Sequence, residues 1–278
     1  MRLLCWNFQG LGNPWTGRSL RKLVREQAPT VCFLMETRLD REGFENLYGD
    51  LQFQNKIIVK QLNAGDGLAL LWKNDVMMEL INYSPNHILM KVIGEDGYVW
   101  FFTGFYGWPE AQHKEKSWKL LEHLRTFVNG AWLCAGDFNA ILKSAEKLSL
   151  RPPNLVEIDA FRSVLDSCNF EDLGYRGYTY MWSNKRPGEA NTKLRLDRAV
   201  ATMEWRDKFQ MTTMSHLPPH ATDHLPIMVH VKSVQRYQQK FKKGFKFEEA
   251  WLLWEDCDAV VKDAWDMVGG RGDGSGFN

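Results

Sequence analysis

Five short apolar runs, at 56–60, 68–73, 77–83, 87–93 and 98–106, follow one another with little between them but turns. Runs this short and this closely spaced read as strands of a meander. Gly65-Asp66-Gly67 and Glu95-Asp96-Gly97 supply turn chemistry between them. On either side the spacing changes to strand–helix–strand. Residues 2–6 read as a buried strand broken by Gly10 and Gly12. Leu20, Leu23 and Val24 then mark a helix over 14–27, with Asn13 as its N-cap, Pro14 at its first position and Pro29 beyond its end. A strand at 31–35 follows. Beyond the meander, Ser117, Leu120, Leu121, Leu124, Phe127 and Val128 mark a helix, and 131–135 a strand that runs into Gly136. Asn154 and Glu157 open another helix, with Ile158, Phe161, Val164, Leu165 and Cys168 on its face. Strands are expected again at 178–182, 194–201, 211–217 and 226–231. This order predicts a mixed-sheet α/β fold.

The chain has 278 residues, 44% of them hydrophobic and 25% charged, enough to bury a core without staples and too apolar for wholesale disorder. A domain boundary is expected near Val231. Residues 232–247 hold six Lys/Arg and no acid, and residues 248–278 hold eight acids and two basic residues. Trp251, Trp254, Val261, Trp265 and Val268 lie at helical spacing in that tail. Cys5, Cys32 and Cys134 sit in apolar runs and read as buried free thiols. There is no secretory pattern at the start and no apolar run near the about 20 residues that span a bilayer, so a soluble nuclear or cytoplasmic protein is expected. The formal charge of +1 gives no bulk support to nucleic-acid binding. Local basic patches at 1–30 and 183–198 leave room for weak, salt-sensitive contact with DNA.

Polar residues interrupt or close the apolar strands: Asn7 and Glu36 end the first two, Asp137 and Asn139 follow the third, Asp197 lies within a later one, and Asp223 and His224 immediately precede the last. Any one of these reads as a cap or turn residue. Together, from dispersed places in the chain, they read as a site built on the edge of a rigid sheet.

The segments carrying them occur in one order: W-N-F-Q-G-L-G (6–12), F-L-M-E-T (33–37), G-F-Y-G-W-P (104–109), A-G-D-F-N (135–139), R-L-D-R-A (195–199) and T-D-H-L-P-I (222–227). The set resembles the successive motifs of the endonuclease/exonuclease/phosphatase superfamily over residues 1–231. Within it, the set is most similar to the endonuclease domain of plant LINE-type (non-LTR) retrotransposons. The resemblance implies a DNase I-like fold, a two-sheet β-sandwich flanked by helices in four α/β/β/α layers. It also implies phosphodiester hydrolysis aided by Mg²⁺, with Mn²⁺ as an alternative ion. By the same resemblance Glu36 is the main metal ligand, with Asn7 and Asp223 near it. Asp137 is the general base, and Asn139, two residues on and on the same side of an extended segment, holds that carboxylate and a phosphate oxygen. His224 donates to the scissile phosphate, Asp197 orients its ring, and Tyr106 contacts the phosphate. Trp182, Thr179 and Arg195 are candidate substrate contacts.

The chain departs from the family pattern at three positions. Gln9 stands where abasic-site enzymes carry an acid. Met181 replaces the Thr expected before Trp182, with Thr179 placed to share its strand face. Thr222 replaces Ser. The resemblance leaves open three functions: a DNA-nicking endonuclease, a phosphatase or lipid phosphodiesterase, and a decayed retroelement fragment retained without activity. A reverse transcriptase is expected beside such a domain and does not follow here, so autonomous retrotransposition is not expected, and no obligate protein partner or membrane is implied. His220 and His224 fall short of a zinc site, which needs three or four ligands. K-F-K-K-G-F-K (240–246) reads as a nuclear address, a nucleic-acid contact or, equally, a solvated basic linker, and Arg271-Gly272-Asp273 as chance. Trp108 adjoins a motif and is a further stacking candidate.

Overall fold

The computed structural model describes residues 1–8, 14–60, 67–218, 222–234 and 255–268. The expectations placed on Gln9, Asn13, Gly65-Asp66, His220, 240–246, Trp251, Trp254 and Arg271-Gly272-Asp273 lie outside them. The chain divides into two compact units, Met1–Val234 and Gln235–Asn278.

In the first unit the elements run β1 (Arg2–Asn7), α1 (Pro14–Gln27), β2 (Val31–Met35), α2 (Arg41–Tyr48), β3 (Asn55–Lys60), β4 (Gly67–Trp72), β5 (Met77–Ser84), β6 (His87–Ile93) and β7 (Val99–Tyr106). They continue with α3 (Lys114–Arg125), β8 (Trp132–Asp137), β9 (Lys147–Leu148), α4 (Leu155–Ser167), β10 (Phe170–Asp172), β11 (Trp182–Ser183), β12 (Lys193–Leu194), β13 (Asp197–Thr202), α5 (Met203–Lys208), β14 (Thr213–His216) and β15 (Ile227–His230). The second unit contains α6 (Cys257–Val268).

Two six-stranded sheets form, ordered β14-β15-β1-β2-β4-β3 and β10-β13-β8-β7-β6-β5, beside a small third sheet, β11-β12-β9. The meander supplies antiparallel neighbours to both large sheets. In each large sheet one central pair is parallel, β1 with β2 and β7 with β8, and the remaining pairs are antiparallel. A parallel pair needs a crossover, and α1 and α3 are those crossovers. The carboxyl ends of each parallel pair therefore fall side by side.

The central strands are buried on both faces, and the alternation of side chains sorts the core into layers. Leu3, Cys5, Phe33 and Leu70 of the first sheet meet Met90, Phe102, Leu133 and Ala199 of the second. Leu4, Trp6, Cys32 and Leu34 point the other way, onto Leu20 and Leu23 of α1 and Phe44 of α2. Phe105, Trp132, Cys134 and Val200 face Trp118 and Leu121 of α3 and Phe161 of α4. This is the four-layer α/β/β/α sandwich. All five cysteines are free, and four are buried. Among the described residues no helix is long and apolar enough to cross a membrane.

The fold departs from expectation in places. Residues 178–181 are not a strand, and β11 begins only at Trp182. Gly177, at φ +102°, turns the chain just before them. Thr179 and Met181 thus share no strand face: Thr179 is exposed and Met181 lies in the inter-sheet core. The run at 194–201 is split between β12 and β13, because Arg195 and Leu196 leave the ladder. The short helices α2 and α5 carry too few apolar repeats to stand out; among its described side chains α2 buries Phe44 and Tyr48 deeply.

Gly104 sets how closely the sheets approach at their centre. A Cβ there would lie 2.5 Å from the Phe33 ring across the interface. Gly104→Val is expected to cost about 3 kcal/mol by overpacking, read as a fall in urea midpoint; an unchanged midpoint would contradict this packing.

Candidate active site

Strand direction alone brings the polar residues together. Asn7 ends β1 and pairs with Met35, which precedes Glu36. Tyr106 ends β7 opposite Asp137, the last residue of β8. Antiparallel β13 starts at Asp197, also opposite Asp137, and His224 lies just before β15, antiparallel to β1. Each residue therefore lies at the same edge of the sandwich. Ligand sites on open α/β sheets form outside the carboxyl ends of parallel strands by the same logic.

Hydrogen bonds join the two sheets there. The Asn7 side-chain Nδ2 donates to Glu36 Oε1 at 2.6 Å and to Asp137 Oδ2 at 3.1 Å. The Tyr106 hydroxyl donates to the same Glu36 oxygen at 3.0 Å. Glu36 itself sits at φ +53°, a left-handed conformation that a non-glycine residue adopts at a cost. Asp137 Oδ1 accepts from the Asn139 backbone N–H at 2.8 Å. Asn139, at φ +51°, is not on the extended segment expected for it. Its side-chain Nδ2 donates instead to the Gly107 carbonyl, 2.9 Å away. Asn139 holds the Asp137 carboxylate through its main chain.

His224 Nδ1 lies 2.8 Å from Asp197 Oδ2 and 3.8 Å from Asp137 Oδ2, with all three residues buried. Burial alone would lower the imidazole pKa, but the charges of Asp197 and Asp137 override it and hold the ring well above its ordinary value. Burial, then the neighbouring Asp197 charge, push the Asp137 carboxyl up. The loop carrying His224 is pinned by two indoles. Trp6 Nε1 donates to Thr222 Oγ1 and to the His224 carbonyl, each at 3.0 Å. Trp182 Nε1 donates to Asp223 Oδ2 at 2.7 Å. Trp6 was missed by sequence reasoning; its place one residue before Asn7 on a buried strand is the signal that could have found it.

Arg195 is not at the site edge. It is buried, bound to Glu146 Oε1 at 2.7 Å and Asp172 Oδ1 at 2.9 Å, and lies over the Tyr175 ring. Arg198, on the other side of Asp197, shares the same two acids. Two buried guanidiniums and two carboxylates thus anchor both flanks of Asp197. A buried ion pair is retained only when each charge is matched, so Arg195 has no free fork to offer a substrate. Thr179 is exposed and Trp108 half-buried, and no bond ties either to the cluster.

Four carboxylates, of Glu36, Asp137, Asp197 and Asp223, gather here with one imidazole. That excess of negative charge and oxygen donors suits a hard divalent cation, which takes one or two protein carboxylates and keeps waters. Glu36, Asn7 and Asp223 fit the group. Asp137, Asp197 and His224 also lie close enough to converge on an ion, but a ring that keeps both protons offers no lone pair to a metal. Trp182→Phe keeps an aromatic ring, a smaller one, and deletes the indole bond to Asp223; a loss of about 1.5–3 kcal/mol is expected in urea unfolding, and no loss would contradict the bond.

No curated protein sequence matches the chain. Among solved structures, the 3′ phosphatase NExo from Neisseria, bound to product DNA hairpin, is similar at TM-score 0.62 and 17% identity, covering 84% of this chain and 99% of that one. The endonuclease domain of TRAS1, a telomere-specific non-LTR retrotransposon, gives TM-score 0.62 and 14% identity, covering 84% and 98%. The AP endonuclease LMAP from Leishmania major gives 0.65 and 15%, covering 83% and 87%. Residues 4–213 match the Endonuclease/Exonuclease/phosphatase family, and with more than half of its length matched the chain belongs to that family.

Proposed function

We propose that this chain is a divalent-metal-dependent endonuclease that nicks one strand of DNA and leaves a 3′ hydroxyl, as the endonuclease of a LINE-type retroelement does. The observation that carries the reading is the buried Asp197–His224–Asp137 group placed beside the Glu36–Asn7–Tyr106 bonds. The catalytic unit is taken to end near residue 231, with 232–278 as a connector.

Glu36, with Asn7 and Asp223, would hold Mg²⁺, or Mn²⁺ in its place. A bound ion there neutralises phosphate charge and stabilises the leaving oxygen. Asp137, whose carboxyl is pushed up by burial, takes a proton from water as that water attacks phosphorus. Asn139 fixes one Asp137 oxygen and Asn7 the other. His224, held by Asp197 through Nδ1, presents its Nε2–H to a non-bridging phosphate oxygen. The Tyr106 hydroxyl, now on Glu36, turns to the phosphate. The P–O3′ bond breaks, the water oxygen stays on the 5′ phosphate, and the departing 3′ oxygen takes up a proton.

A supercoiled plasmid incubated with Mg²⁺ is expected to be nicked, and chelator to stop it. Glu36→Ala, Asp137→Ala and His224→Ala are each expected to slow nicking by about 100-fold or more. The nicks are expected to prime a DNA polymerase without further processing, and nicking to weaken steeply with added salt. Absence of Mg²⁺-dependent nicking, or nicking unchanged in all three variants, would overturn the reading. Release of phosphate from inositol phosphates instead would move the chain to the phosphatase branch of the same chemistry.

A further inference from the structure

Tyr106 is fixed from a place that none of the motifs covers, the tight turn between β5 and β6. The antiparallel register of β6 and β7 ends at His87 opposite Phe105. One step beyond, Asn86 faces Tyr106. Such a pair would normally exchange two backbone hydrogen bonds. One is made: the Tyr106 N–H donates to the Asn86 carbonyl at 2.8 Å. The second is not, because the Asn86 N–H is turned onto Ser84 Oγ at 3.1 Å. The Asn86 side chain takes its place, and Nδ2 donates to the Tyr106 carbonyl at 2.8 Å.

The turn that presents this amide is itself held by side chains. Ser84 Oγ lies 2.7 Å from His87 Nδ1, and His87 Nε2 lies 2.8 Å from Asn82 Oδ1. A neutral ring with its proton on Nε2 satisfies every bond: it donates to Asn82 and accepts from the Ser84 hydroxyl, which accepts from the Asn86 N–H. Burial holds His87 neutral, with its pKa lowered to about 4. Asn86 is 5% exposed and Tyr106 3%. Directly beyond, the Gly107 N–H donates to the Asp137 carbonyl at 2.8 Å. The Asn86 amide therefore grips the peptide that joins Tyr106, whose hydroxyl is on Glu36, to the strand bearing Asp137.

We infer that Asn86 is a positioning residue for the phosphodiesterase site: its side-chain amide, standing in for a missing backbone donor, aims the Tyr106 hydroxyl at Glu36 and at the substrate phosphate. The inference rests on the function proposed above. Asn86 touches no reacting atom and acts through Tyr106. Its amide is needed as a donor; a carboxylate of the same size would face the Tyr106 carbonyl with like charge.

The test is a double-mutant cycle on plasmid nicking, with Asn86→Ala, Tyr106→Phe and the pair. Asn86→Ala is expected to lower kcat about tenfold or more with KM unchanged, and to have little further effect in the Tyr106→Phe background. A structural role alone would lower activity by the same factor in both backgrounds, and that additivity, or wild-type kcat in Asn86→Ala, would overturn the inference. Asn86→Asp serves as a second variant of native size, expected to match Asn86→Ala. A readout independent of activity comes from protein labelled with ¹³Cζ-tyrosine, with the Tyr106 signal assigned by its loss in Tyr106→Phe. Both Asn86 variants are expected to move that signal and leave the other tyrosines in place; an unmoved Tyr106 signal would overturn the inference. If the wild-type chain does not nick DNA, the proposed function fails by itself, and the tyrosine signal still decides whether Asn86 positions Tyr106.

Discussion

Burying Asp137 and Asp197 beside each other would cost several kcal/mol per charge if nothing answered them. The His224 imidazole, 2.8 Å from one and within 4 Å of the other, is the answer. Its Nδ1 is bonded to Asp197 of β13 and lies 3.8 Å from Asp137 of β8, both in the second sheet, while its main chain belongs to the approach to β15 in the first. The same contact that neutralises the acids therefore ties the sheets at their catalytic edge. The sign of its contribution follows from the raised pKa. The stabilisation is fully present below the ordinary value of 6.5 and is lost as pH rises through the raised one.

That arrangement depends on topology. Two parallel pairs, each closed by a helical crossover, place four strand ends in one line, and antiparallel neighbours return Asp197 and His224 to it. Gly104 lets the sheets meet closely enough for an Asn7 side chain to reach both Glu36 and Asp137. On the far side of Asp197 the Arg195, Arg198, Glu146 and Asp172 cluster holds the chain from behind. The site is thus built between a neutralised buried acid pair and a neutralised buried ion network.

Much of this was legible in the sequence. Asn7, Glu36, Asp137 and His224 stand out because a polar residue beside the end of an apolar run is conspicuous, Asp197 because it interrupts one, and the ordered motifs pointed to the sandwich. What was not legible depends on side chains choosing partners across the fold. Arg195 sits in a basic stretch and looks available, yet its partners Glu146 and Asp172 are far away in sequence and nothing local reveals them. Asn139 was expected to hold Asp137 from an extended segment, but a left-handed backbone gives the work to its N–H. Thr179 and Met181 looked like neighbours on a strand that Gly177 prevents. Asn86 reads as an ordinary turn residue, and its role follows only from the register of β6 against β7.

The charge state of His224 tests the account most directly. Nitrogen-15 NMR of the imidazole, with the signal assigned by His224→Gln, reads both ring nitrogens as pH is raised. A ring protonated at Nδ1 and Nε2 at pH 8, and titrating at a lower pH than the native ring once Asp197 is replaced by Asn, is the result expected. A native ring that already titrates near 6.5 would contradict it, because the buried acids would then have no cation between them.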